Sequence, residues 1–173
     1  MFYLIKHGRA DYSERNTKIY QGFGVQLSPL SALGVQQIKD TAKDSRLQDA
    51  DIILSSPYTR ALQTAAILSK ELQLDIIIET DLHEWMANKN YIYETDKQAE
   101  LNYHEYAAFS GKYPYGFEKD WEDSNQLKCR LIAVLSKYKQ HNKVIVVCHG
   151  MLIQAIENGH LPKNGEIVEF DFD

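Results

Sequence analysis

An α/β fold, a three-layer αβα sandwich with a mostly parallel central sheet, follows from three observations. Short runs of β-branched and other apolar residues recur along the chain. Stretches with apolar residues at helical spacing lie between most of them. The runs are continuous rather than alternating, as strands buried on both faces of a parallel sheet require.

The first run, Phe2-Tyr3-Leu4-Ile5, ends at Lys6-His7-Gly8. A helix follows Ser31, its expected N-cap, with Val35, Ile38 and Ala42 on one face. Ile52-Ile53-Leu54 is the second strand and stops at Ser55-Ser56-Pro57. The next helix is expected to open with Ser56 as cap and Pro57 at its first position. Ala61, Ala65, Leu68 and Leu72 mark its apolar face. Ile76-Ile77-Ile78 is the third strand. Residues 80–120 hold Tyr91, Tyr93, Tyr103, Tyr106, Tyr113 and Tyr115 and no strand pattern. They read as a helical and looping insertion over the carboxyl edge of the sheet. Leu127, Leu131, Val134 and Tyr138 define another helix, and Val144-Ile145-Val146-Val147 the fourth strand, ending at Cys148-His149-Gly150. A last helix, with Leu152, Ile153 and Ile156, is expected to stop near Asn158-Gly159. Alternation in Ile167-Val168-Glu169-Phe170-Asp171-Phe172 predicts an edge strand with one wet face. With no repeat or linker, residues 1–173 read as a single domain.

Composition narrows the function. Nineteen basic residues against 24 acidic ones leave a net charge of −5, which excludes the basic excess that a nucleic-acid partner demands. No apolar stretch reaches membrane-spanning length, and the N-terminal one is too short for a signal-peptide core, so no membrane contact is expected. Cys129 and Cys148 lack metal-ligand spacing and fit a reducing cytoplasm, with no disulfide.

In open α/β sheets the ligand sits beyond the carboxyl ends of the strands. Here those ends carry Lys6 and His7, Arg60 one turn into a helix, His83 and Glu84, and His149. Two permanent cations, a helix N-terminus and backbone freed by Gly8 and Gly150 suit a doubly charged phosphate. A neutral histidine can displace an alkoxide from phosphorus, and a carboxyl of raised pKa can protonate the leaving group.

At these residues the sequence resembles the histidine phosphatase superfamily, the phosphoglycerate-mutase-like proteins. Leu4-Ile5-Lys6-His7-Gly8-Arg9-Ala10 stands where that family has Arg-His-Gly, and Pro29-Leu30-Ser31-Ala32-Leu33-Gly34-Val35-Gln36-Gln37 matches its next element. Ser55-Ser56-Pro57-Tyr58-Thr59-Arg60-Ala61-Leu62-Gln63-Thr64-Ala65 resembles its second phosphate-binding segment. Leu82-His83-Glu84 is similar to its proton-donor motif, and Val147-Cys148-His149-Gly150 to its second histidine. The resemblance implies that His7 forms a phosphohistidine. It implies further that Arg60 and His149 hold phosphoryl oxygens, and that Glu84 protonates the leaving group and then activates water. Lys6 replaces the family arginine, keeping the charge while giving up the two-pronged fork. The glycine-rich signature after the acid is missing, replaced by Trp85-Met86-Ala87-Asn88.

The expected function is therefore a phosphatase acting on a phosphomonoester of a small metabolite, with no metal and no cofactor. The abbreviated region after His160 favours simple hydrolysis over a mutase. A binding or regulatory protein of the same fold is the first alternative, though it leaves the retention of His7, Arg60, Glu84 and His149 unexplained. A metal hydrolase using the two histidines ranks last, because Lys6 and Arg60 would repel a divalent ion. His83, His104, His141 and His160 read as surface residues, and Cys148 as a buried strand-end thiol. The tyrosines of 91–115 fit either a pocket wall or the packing of a small lid.

Overall fold

In the computed structural model, which describes residues 1–17, 20, 22–92, 95–157 and 159–172, one five-stranded sheet runs through the protein. Strands β1 (Phe2–Lys6), β2 (Ile52–Ser55), β3 (Ile76–Ile78) and β4 (Val144–Cys148) are parallel. Strand β5 (Ile167–Phe170) lies antiparallel beside β1, giving the order β3-β2-β4-β1-β5. Every residue of β4 is buried, as the continuous apolar run demands of a central strand. Its side chains alternate between two cores. Val144, Val146 and Cys148 join Leu4 and Leu54 on one face, and Ile145 and Val147 join Ile5 and Ile53 on the other.

Helices cover both faces. On the second face lie α2 (Ala32–Thr41) and α3 (Thr59–Leu72), and on the first α5 (Ser124–Ser136) and α6 (Gly150–Gln154). The short α1 (Gly24–Leu27) precedes them, and α4 (Asp96–Ala108) belongs to the insertion. Ser31 caps α2, its hydroxyl accepting from the N–H of Gly34 at 3.1 Å. Asp123 and Gln126 form a capping box on α5. Helix α3 is closed by its C-cap Gln73, which takes the left-handed conformation (φ 57°).

Several local expectations are corrected. Helix α3 starts at Thr59 with Tyr58 as N-cap, and Ser56 does not cap it. The Ser56 hydroxyl is committed to a histidine instead. Strand β3 is an edge strand, with Ile78 56% exposed, because three consecutive isoleucines carry no periodicity that separates an edge from a centre. Helix α6 is only five residues long, and its expected stop at Asn158 lies outside the described residues, as does Tyr93. Strand β5 ends at Phe170, short of Phe172.

Within the insertion no described residue is in a strand. Tyr106 and Tyr113 pack their rings against Trp121, at 5.6 and 4.9 Å between centroids, so these two tyrosines are packing residues. No helix among the described residues is long and apolar enough to cross a membrane.

Register places the site. Lys6 pairs with Cys148, so His7 and His149 leave the sheet side by side. The His7 N–H still donates to the Cys148 carbonyl at 3.1 Å, and the Ser56 N–H to the Val147 carbonyl at 3.0 Å.

Candidate active site

His7, at the end of β1, is 5% exposed. Its Nδ1 lies 2.7 Å from the carbonyl of Gly8. A carbonyl only accepts, so Nδ1 carries the proton. Its Nε2 receives the Nε–H of Arg60 at 3.0 Å, and arginine only donates, so Nε2 keeps its lone pair. Burial, then the Arg60 guanidinium and the Lys6 charge, hold the His7 pKa down to about 3. The ring is thus neutral near pH 7, with its free lone pair on the nitrogen that faces the cation.

Arg60 is the second residue of α3, and its helix carries Ala61, Ala65 and Leu68 into the core. The guanidinium is 2% exposed. Beyond His7, it donates from Nη1 to the Val25 carbonyl (2.7 Å) and from Nη2 to Nδ1 of His149 (3.2 Å). Its carbon stands 5.1 Å from the ring centroid of Tyr58 and 5.9 Å from that of Tyr12, within cation–π range.

His149 follows β4 and is fully buried. Because Nδ1 accepts from Arg60, the proton sits on Nε2 and is donated to the Ser56 hydroxyl at 2.7 Å. Burial and then the Arg60 charge drive its pKa well below the ordinary value. Its ring meets that of His7 edge to face at 5.1 Å.

Glu84 lies just past a 3₁₀ turn over Thr80–Leu82. Its Oε1 accepts from the N–H of Trp85 at 2.9 Å. Burial raises its pKa, with Arg60 close enough to pull the other way. Lys6 takes a different course. Its Nζ donates to the Pro162 carbonyl at 2.9 Å and lies against Gly150, where a Cβ would come within 3.2 Å of it. His7, Arg60 and His149 therefore form one hydrogen-bonded group, while Lys6 and Glu84 reach it through their charge.

Four residues in or against this group escaped sequence reasoning. Ser56 and Tyr58 lie inside the matched segment, but Ser56 read as a helix cap. His83 was expected at the surface and is 4% exposed. Its ring stacks on Tyr58 at 6.4 Å and meets Tyr91 at 6.2 Å, so Tyr91 belongs to the edge of the site. Asn164 donates to the His7 carbonyl at 2.8 Å from a loop with no sequence signal. Cys148, pushed up to about 12 by burial, is a protonated core thiol. Among the described residues, no three His, Cys, Asp or Glu side chains group so that they could hold a metal ion.

A strand-end histidine with a free nitrogen, beside a buried guanidinium and a second neutral histidine, can bind an anion and attack it. Known proteins bear on which anion that is. The chain is 28% identical over 156 residues to the uncharacterized phosphatase PhoE of Bacillus subtilis, covering 88% of this chain and 73% of that one. It is 28% identical over 162 residues to a protein of Proteus mirabilis named as phosphoglycerate mutase GpmB, covering 89% and 71%. The solved structure of YhfR from Bacillus stearothermophilus superposes with a TM-score of 0.68 at 23% identity, covering 98% of this chain and 91% of that chain, which shows the fold. The model of the histidine phosphatase superfamily (branch 1) matches residues 2–165, a span that holds all five of Lys6, His7, Arg60, Glu84 and His149. The chain belongs to the histidine phosphatase superfamily, branch 1.

Proposed function

We propose that this protein hydrolyses a phosphomonoester of a small metabolite through a phosphohistidine on His7, without a metal. The observation that carries the proposal is the protonation pattern of His7: Nδ1–H is tied to the Gly8 carbonyl, and Nε2 keeps its lone pair beside Arg60. In the first step the Nε2 lone pair forms a bond to phosphorus as the bond to the ester oxygen breaks. Glu84 gives its proton to the departing alkoxide. Arg60 exchanges its contacts with His7, Val25 and His149 for phosphoryl oxygens, where charge collects in the transition state. In the second step the Glu84 carboxylate takes a proton from water. The water oxygen attacks phosphorus, the N–P bond breaks with its electron pair returning to Nε2, and phosphate leaves. Lys6 adds positive charge from the Pro162 side.

Hydrolysis rather than mutase chemistry, and the absence of a metal, belong to this proposal. The experiment is rapid quenching with labelled phosphoester in excess chelator. Wild-type protein is expected to hold an acid-labile, base-stable phosphoryl group and to release phosphate. His7→Ala should do neither. Label retained by His7→Ala, or activity that disappears in chelator and returns with one divalent ion, would point to a different mechanism.

A further inference from the structure

The acid loop is irregular backbone. After the 3₁₀ turn at Thr80–Leu82, residues 83–87 belong to no helix or strand. Their sequence lacks the glycine-rich element that the family resemblance led one to expect behind the acid. Such a loop holds a carboxyl in one place only if other groups anchor its backbone, because each residue it orders costs about 1–2 kcal/mol of conformational entropy.

The anchors come from α5 and the segment before it. Arg130 donates from Nη1 to the carbonyls of Asp81 (2.6 Å) and His83 (2.8 Å), and from Nη2 toward that of Glu84 (3.4 Å). Its Nε and Nη2 also grip the two carboxylate oxygens of Glu122, at 2.5 and 2.9 Å. Glu122 is 6% exposed and is itself bound to the far side of the same loop. Its Oε2 accepts from the Met86 N–H (3.3 Å), its backbone N–H donates to the Met86 carbonyl (3.1 Å), and its carbonyl accepts from the Trp85 indole (2.7 Å). A planar guanidinium can serve several carbonyls and a carboxylate at once, and lysine cannot.

We propose that Arg130 and Glu122 are positioning residues: a largely buried ion pair that holds the Glu84 loop in the geometry for proton transfer. The proposal rests on Glu84 being the proton donor of the reaction above. It assigns no contact with substrate to either residue. The pair acts through Glu84 alone, so in the first step, phosphoryl transfer to His7, its loss should matter where the leaving group needs a proton and matter little where it does not, while hydrolysis of the phosphohistidine is common to all esters.

The test compares an alkyl ester, glycerol phosphate, with an aryl ester, 4-nitrophenyl phosphate, for wild type, Glu84→Gln, Arg130→Met, Arg130→Lys and Glu122→Gln. The quantity compared is kcat/KM, which covers phosphoryl transfer to His7 and not hydrolysis of the phosphohistidine. For Arg130→Met and Glu122→Gln it should fall about tenfold or more on the alkyl ester and by less than about threefold on the aryl ester. Arg130→Lys should lose less than Arg130→Met. Combining Arg130→Met with Glu84→Gln should slow the alkyl ester no further than Glu84→Gln alone. Equal losses on both esters, or losses that multiply in the double variant, overturn the clamp. Should Arg130→Met fail to fold, the nearly isosteric Glu122→Gln carries the same comparison. If Glu84→Gln separates the two esters and the Arg130 and Glu122 variants do not, the clamp alone is wrong. If Glu84→Gln treats both esters alike, the acid assignment fails and takes the clamp with it.

Discussion

Lys6 donates to the Pro162 carbonyl, and its charge also lowers the proton affinity of His7. These two roles predict different outcomes when the side chain is cut back. If the ammonium turns to a phosphoryl oxygen during the reaction, Lys6→Ala loses one charge-assisted contact. That costs about 1.5–3 kcal/mol, or roughly ten- to a hundredfold in kcat/KM. Lys6→Arg should then hold or raise turnover. Both are measured on a single aryl phosphate. Unchanged kcat/KM in Lys6→Ala would reduce the residue to a tie for the loop at Pro162. Residue-scale reasoning from sequence put His7, Arg60 and His149 at one edge of the sheet, and the structure joins the three by hydrogen bonds. That reasoning missed His83, whose ring stacks on Tyr58 from the segment after β2 and meets Tyr91 further along its own insertion.

The junction between β1 and α2 shows how elements aim the nucleophile. A Cβ on Gly34 would stand 2.1 Å from the Arg9 carbonyl oxygen, and one on Gly8 would stand 2.6 Å from the Gly34 carbonyl oxygen. The two backbones touch, and only glycine fits on either side. Gly34→Ala should therefore force the His7 loop away from α2. The expected cost is about 1–3 kcal/mol of stability, with turnover down about a hundredfold if the ring moves by an ångström. Chemical denaturation and steady-state rates measured together check this. A destabilised variant with normal turnover below its melting point would show that the loop relaxes without moving His7. Both glycines lie in motifs visible in the sequence, yet the contact between them joins segments 26 residues apart and is a property of packing.

For the whole molecule, two buried neutral histidines make stability depend on acid. The His7 pKa of about 3 lies below its ordinary 6.5, and that of His149 is lowered as well. Between pH 6.5 and 3 the unfolded chain takes up a proton at position 7 that the folded chain refuses. Stability is then full above about pH 6.5 and falls with acid, by up to about 1.4 kcal/mol per pH unit for each such histidine. Glu84 works the other way, since its raised pKa favours the folded state where the carboxyl is still protonated. Denaturant midpoints at pH 7 and pH 5 should show the loss in wild type and a smaller one in His7→Gln. Equal losses in both proteins would remove His7 as the cause.

The sequence by itself determined the α/β class, the order of strands and helices, and the residues at the strand ends. Those features rest on local patterns: apolar runs, helical spacing and short motifs, each readable within a dozen residues. Tertiary structure alone decided that β3 lies at an edge, that Ser56 serves His149 and not α3, and that Lys6 reaches for Pro162. It alone placed Arg130 and Glu122 behind the acid loop. The physical reason is the same in each case. A polar side chain has several possible partners near it in sequence, and burial selects the one that satisfies its hydrogen bonds. That choice exists only after the sheet has brought distant segments together.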